Sequence, residues 1–283
     1  MKNLKKIITL ALALVMVLSL CACGGKKEEE KTVENKYNTV TAGKLTVATS
    51  PDFAPYEFYS IDENNNYTLA GFDMALAKYI ADYLGLELEV IPMDFDGTLT
   101  ELAAKNVDLS LAGYSPDPSR MDKMDFSDIY YKGGQSFCCA QSNKDKFPDL
   151  ASTNKAEYHI GAQNGSIQYD LAMENSPDAD VVALTKVTDI ISELIAGTLD
   201  GAYIETAVAE TYAKNYPDLC VVLPVPYEDA EGSAVGVSKG NEALLKGVNE
   251  AIAKALSDGS MDKFVAEAND LASGNILEGL LEK

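Results

Sequence analysis

From residue 44 to about residue 269 the chain alternates short β-prone runs with segments of helical period, and no other feature restricts its fold so strongly. KLTVAT (44–49) reads as a strand. GFDMALAKYIADYLG (71–85) stacks Phe72, Leu76, Ile80 and Leu84 at helical spacing and ends on Gly85, a residue suited to the left-handed position after a helix. LELEVIPM is a second strand, TLTELAAKN a helix and VDLSLAG a third strand. A second series starts at QSFCCAQS, with YHIGAQ, DVVAL and GAYI as strands and SIQYDLAME, TDIISELIAGTLD and ETAVAETYAKNY as helices between or after them. PVPYEDAEGSAVGVSK then gives an apolar strand, and two helices close the chain. Such repeats predict mainly parallel sheets covered by helices. Each half of the 283 residues carries its own apolar runs, so two α/β lobes are expected rather than one continuous sheet, with ligands collecting beyond the strand ends and between the lobes.

The N-terminus follows another logic. MKNLKK is basic, and the apolar run at 7–22 has 16 residues, fewer than the roughly 20 of a spanning helix. It fits a signal peptide over 1–22. The run ends in LCACGG, which resembles a bacterial lipobox with Leu20 at −3, Ala22 at −1 and Cys23 as the lipidated residue. The polar stretch that follows has the composition of a flexible tether, expected over 23–43. The expected location is therefore the extracytoplasmic face of the cell membrane, through a lipid anchor.

Charge and motifs remove several function classes. With 23 basic against 44 acidic residues the net charge is −21, which excludes the basic face that nucleic acid demands. The chain has no GxSxG, HExxH, P-loop or GxGxxG motif, so no catalytic residue and no cofactor is assigned. Cys138, Cys139 and Cys220 have no zinc spacing and are expected as free thiols; His159 sits in a strand-like run. Asp94 and Asp96 read as acids of a solvated loop.

One residue stands apart. Every positive side chain is lysine except Arg120, in AGYSPDPSRMDKMDFSDIYY, just past the strand VDLSLAG. The planar guanidinium pairs with a carboxylate through two parallel hydrogen bonds, which the point charge of lysine cannot do. Gly113 and Ser115 could complete a nest for that carboxylate. Glu205 follows GAYI in the equivalent place of the second half, where an acid could receive an ammonium. A cation and an anion at the mouths of facing lobes suit an α-amino acid zwitterion.

The blocks LTVATSPDFAPYEF, LAGFDMALAKYIADYLG, PMDFDGTLTELAAKNVDLSLAG, PSRMDKMDFSDIYYKGGQ and GTLDGAYIETAVA together resemble the family-3 extracellular solute-binding proteins, the polar amino-acid-binding components of ABC uptake systems. The resemblance spans nearly the whole body. It implies a type II periplasmic-binding-protein fold: lobe 1 from 44–131 plus 226–283, lobe 2 from 132–225, and a two-strand hinge near Lys132 and Val225. It implies that Arg120 anchors the ligand carboxylate, that the Gly113 carbonyl and Ser115 hydroxyl hold the ammonium, and that Ser166 lends donors to the carboxylate from the other lobe. Glu205 takes the place of an aspartate that receives the ammonium, and Phe53 and Phe95 sandwich the ligand side chain. Ser50 stands where binders of cationic amino acids or glutamine often carry aspartate, and Gln163 and Ile204 where glutamine binders carry lysine and histidine. These departures argue against a basic ligand and against glutamine, and leave a small polar, sulfur-containing or mixed-specificity ligand open.

The implied function is capture of an amino acid by a monomeric, lipid-anchored protein and delivery to a membrane permease. An exported cyclohexadienyl-dehydratase-like enzyme of similar fold, or a ligand-sensing receptor component, are the competing classes.

Overall fold

The computed structural model describes residues 34–62, 64, 66–227 and 232–274; the signal segment, the lipobox and Cys23 lie outside the described residues. Two five-stranded mixed sheets organise the chain. The first is built from β1 (Lys44–Thr49), β5 (Glu87–Pro92), β6 (Leu109–Ser110), β7 (Met124–Tyr131) and β13 (Ser233–Ser238), in the order β5-β1-β6-β13-β7. The second holds β8 (Gln135–Ala140), β9 (His159–Gln163), β10 (Asp180–Leu184), β11 (Gly201–Glu205) and β12 (Leu219–Val225), in the order β10-β9-β11-β8-β12. A small third sheet of β2 (Asp52–Phe53), β3 (Glu57–Ile61) and β4 (Tyr67–Ala70) sits after β1. The chain leaves the first sheet between Tyr131 and Gln135 and returns between Val225 and Ser233.

Each large sheet is less uniformly parallel than the sequence pattern predicts. β1 is parallel to β5 and β6, and β9 to β10 and β11, but β13 runs antiparallel to β6 and β7, and β8 antiparallel to β11 and β12. The antiparallel strands are those next to the two crossings.

Seven helices flank these sheets among the described residues: α1 (Phe72–Leu84), α2 (Phe95–Ala103), α3 (Ile167–Asn175), α4 (Val187–Ala196), α5 (Thr206–Asn215), α6 (Glu242–Ser257) and α7 (Ser260–Ala272). The periodic face of α1 lies inside: Phe72, Leu76 and Ile80 are fully buried and Leu84 nearly so. At about 1.5–3 kcal/mol per buried side chain, this stripe fixes α1 in place. Gly85 ends it with φ 71°, and the Leu86 N–H reaches back to Ala81 O at 2.9 Å, closing the last turn. The segment from Asn35 onward, which composition placed in the tether, is folded onto the first sheet's side. The Val40 N–H donates to Asp108 Oδ1 (2.7 Å) and Asn241 Nδ2 to the Tyr37 carbonyl (2.9 Å).

The second sheet packs around Phe137, whose ring centroid lies 4.8 Å from that of Phe147 and 5.2 Å from that of Tyr203. Gly201 faces this ring so closely that an added Cβ would stand 2.1 Å from Phe137 Cζ. Since Phe137 is fully buried, it cannot swing away. Gly201→Ala therefore costs about 1–3 kcal/mol of stability in urea unfolding. An unchanged midpoint would show that the ring has room to move.

Candidate functional site

Arg120 owes its position to a short turn after β6. Asp117 caps the 3-10 turn Pro118–Arg120 by accepting from the Ser119 N–H at 2.7 Å, and Tyr227 donates to the other Asp117 oxygen at 2.8 Å. Pro118, which has no N–H to satisfy, occupies the first position of the turn. The half-buried guanidinium then lies 5.9 Å from the ring centroids of both Phe95 and Tyr114. Its Nη2 donates to the Gly165 carbonyl at 3.0 Å, across from the first sheet's side to the second's. None of the ion pairs among the described residues includes Arg120, although the chain has 44 acidic residues.

The loop after β9 is held by residues from the first sheet's side. Three consecutive residues are each held by a different first-lobe segment. Gln163 Nε2 donates to Asp52 Oδ2 (3.1 Å), Asn164 Nδ2 to Asp96 Oδ2 (3.3 Å), and Gly165 O accepts from Arg120. Ser166 closes the loop as the N-cap of α3, its hydroxyl accepting from Tyr169 N and donating to Gln163 O at 2.7 Å. Asp96, read from sequence as a loop acid, is exposed yet takes part in this contact.

Asp52 is the residue that sequence reasoning missed. It is buried, accepts from Ser50 Oγ at 2.7 Å, and caps the N-terminus of second-lobe helix α4 by accepting from Val187 N at 2.6 Å. Its own carbonyl accepts from Tyr212 OH at 3.1 Å. Ser50 and Gln163, two positions marked by their departure from family habit, are thus joined through one carboxylate. Burial raises the Asp52 carboxyl to about 6 against the lowering effect of the Ser50 and Val187 hydrogen bonds and of Lys186. A cavity of about 250 Å³ opens beside it, lined by Ser50, Asp52 and Met93 from one lobe and Lys186 and Thr188 from the other. The sequence does carry an acid two places after Ser50, in SPD.

Gly113 has φ 59°, and an added Cβ would stand 2.7 Å from Phe53 Cε1, so glycine permits the loop to lie against that ring. Its N–H donates to Asp73 Oδ2 at 3.1 Å, while Tyr130 OH donates to Asp73 Oδ1 at 2.7 Å. Burial raises Asp73 to about 6. Glu57 is fully buried near it, neither carboxyl oxygen accepts a hydrogen bond, and burial followed by the charges of Asp73 and Asp52 pushes its carboxyl well up. Ser115 and Phe95 are buried near this loop, Phe95 with its ring 5.4 Å from that of Tyr114.

Glu205 ends β11 and caps α5, accepting from Val208 N at 2.9 Å, and Gly134 N approaches its Oε1 at 3.4 Å. It is buried against Tyr56 of the first lobe, and burial raises its carboxyl to about 7 despite the Val208 and Tyr56 hydrogen bonds. The carboxylate thus stands at the chain crossing, and no hydrogen bond among the described residues joins it to Arg120. Ile204 before it is buried in the apolar core. The structure brings Arg120 to Phe95 and the Gly165 loop, Gly113 to Phe53, and Ser50 to Gln163 through Asp52.

The buried acids set a pH dependence. Asp52, Asp73, Glu57 and Glu205 all hold protons more tightly in the folded chain than an ordinary carboxyl does, near pH 4. The stability that Asp52, Asp73 and Glu205 contribute is full below that value and is lost as pH rises through about 6–7. Asp62, Asp117, Asp125 and Asp258 are shifted downward and remain charged throughout this window. Without ligand, the melting temperature is accordingly higher at pH 5 than at pH 7.5 in scanning fluorimetry. The reverse order would contradict the buried-acid description.

The model of the bacterial extracellular solute-binding proteins, family 3, matches residues 45–268. The chain belongs to this family. It is 33% identical over 264 residues to the arginine-binding extracellular protein ArtP of Bacillus subtilis (strain 168), covering 92% of this chain and 96% of that one. Among solved structures it is similar to the amino acid ABC transporter substrate-binding protein AbpA of Streptococcus pneumoniae bound to L-arginine (TM-score 0.77, 31% identity, 82% of this chain and 96% of that one). It is also similar to the ancestral amino-acid-binding protein AncCDT-1, a precursor of cyclohexadienyl dehydratase (TM-score 0.72, 31% identity, 80% of this chain and 98% of that one). The fold is that of these two-lobed type II binding proteins.

Proposed function

We propose that the protein captures an L-α-amino acid between its lobes and hands it to the permease of an ABC importer, anchored outside the membrane through Cys23. The lobes are taken as 44–131 with 226–283, and 132–225. The observation that carries this reading is Arg120: the chain's one guanidinium, framed by two aromatic rings at the lobe junction, forms no ion pair with any described carboxylate. Such a group suits the α-carboxylate of a ligand. In this reading Gly113, Ser115 and Ser166 hold the ligand's polar head, Glu205 receives its ammonium, and Phe53 and Phe95 flank its side chain.

Asp52 changes the expected ligand. The missing acid at Ser50 argued against basic amino acids, yet Asp52 supplies a buried carboxylate bonded to that serine and to Gln163. Three neutral donors occupy it, and a carboxylate has about four acceptor sites, so one remains for a cationic side chain. Arginine is the leading candidate, in keeping with ArtP and AbpA. A thermal-shift panel of L-amino acids tests this: a ligand at 100 times its Kd adds about 2.7 kcal/mol, and a flat panel would overturn the reading. Asp52→Asn lowers the ratio of arginine to glutamine affinity by roughly ten- to a hundredfold. An unchanged ratio would place Asp52 outside the ligand's reach.

The dehydratase reading has one feature in its favour: Glu205, raised to about 7, is suited to proton transfer at neutral pH. Incubation with prephenate or arogenate is expected to give no product; measurable turnover would replace transport with catalysis.

A further inference from the structure

Cys139 and Cys220 stand directly opposite one another on the antiparallel strands β8 and β12, with their sulfurs 3.8 Å apart. Direct pairs in such a ladder have Cα atoms about 4.5–5.5 Å apart, inside the range that a disulfide spans. The adjacent Cys138 cannot compete for either partner. Side chains alternate across a strand, and Cys138 faces the other way, its sulfur against the Ala202 carbonyl at 3.6 Å and its packing in a different apolar cluster. Cys139 and Cys220 share one cluster with Phe137 and Phe147.

We propose that Cys139 and Cys220 are a reversible disulfide site, formed by exchange with a low-molecular-weight disulfide outside the cell. β12 is the edge strand of its sheet and Cys220 is 9% exposed against 0% for Cys139, so the Cys220 thiolate reacts first. Its thiolate displaces one thiolate from the small disulfide, giving a mixed disulfide at Cys220. The Cys139 thiolate then attacks the Cys220 sulfur and expels the second small thiolate. The two protons lost by the protein end on the two small thiols, so one disulfide is reduced as one is made. Burial raises the Cys139 thiol to about 12, which makes the second step slow but leaves its geometry intact.

The bond has a defined place in the molecule. β8 and β12 are the strands that adjoin the two chain crossings, and they pair from Gln135–Val225 near the crossings to Leu219–Ala140 at the far end. The cysteine pair lies in the far half, beyond a register shift between Val221 and Leu223. Oxidation therefore ties the far half of the ladder and leaves the half nearest the crossings unconstrained. This inference does not depend on the identity of the ligand.

The test is peptide mapping of the folded protein after incubation with oxidised glutathione, followed by alkylation of remaining thiols. The expected result is a Cys139–Cys220 linked peptide that is lost on reduction, persists in Cys138→Ser and disappears in Cys139→Ser. Wild-type protein from which Cys139 and Cys220 are recovered alkylated, as separate glutathione adducts, or linked instead to Cys138, would overturn it. The wild-type result decides even if a variant fails to fold.

Discussion

Arg120→Lys lowers affinity for the amino acid ligand by roughly two to three orders of magnitude, while the melting temperature without ligand stays close to that of the wild type. Removing one partner of a buried, hydrogen-bonded charge pair costs roughly 2–5 kcal/mol, and about 1.4 kcal/mol is a factor of ten. Lysine keeps the charge, so the loss reports the forked geometry rather than the field. Stability is spared because the native side chain is only half-buried and makes one hydrogen bond, to Gly165 O. Calorimetric titration of both proteins reads the change. A lysine variant within a few-fold of wild type would remove Arg120 from the role of carboxylate anchor.

Glu205→Gln is the second large effect, and its signature is selectivity. Glutamine is isosteric and its side-chain oxygen can still cap α5 at Val208 N, so the fold survives. An ammonium, however, loses its counter-charge. Affinity for the amino acid falls by roughly thirtyfold or more, and affinity for the carboxylate analogue without the amine hardly changes. The wild type adds a proton-linked readout. With its carboxyl near 7 before binding, Glu205 is partly protonated at pH 6.5, and an arriving ammonium drives that proton off. Titrations in buffers of different ionisation enthalpy register proton release in the wild type and much less in Glu205→Gln. Equal losses for both analogues, with no change in proton release, would leave Glu205 as a helix cap alone.

The parts of the fold that were legible are those where period and burial agree. The stripe Phe72, Leu76, Ile80 and Leu84 predicted α1, and Gly85 its end, because a helix of 13 residues has room to repeat its signal. β2 to β4 were not legible. Their strands have 2, 5 and 4 residues and lie among prolines, aspartates and asparagines that read as a loop. β6 shrinks to Leu109–Ser110 within a longer apolar run, since the chain must turn toward Gly113 immediately afterwards.

The site was legible where its chemistry was rare. A lone arginine among 22 lysines draws notice in any composition; Asp52, one of 44 acids, does not. Glu57 and Asp73 were hidden for the same reason. Only burial distinguishes an acid that holds a loop from one that keeps the surface soluble, and burial is a property of the assembled lobes.

The measurement that bears most directly on the whole account is a paired titration with L-arginine and agmatine, which share the guanidinium and an amine and differ in the α-carboxylate. If Arg120 holds the ligand by its carboxylate, L-arginine binds saturably and agmatine binds at least about a hundredfold more weakly. Equal binding of the two would mean that the cleft reads the side chain alone, and the central role given to Arg120 would be wrong.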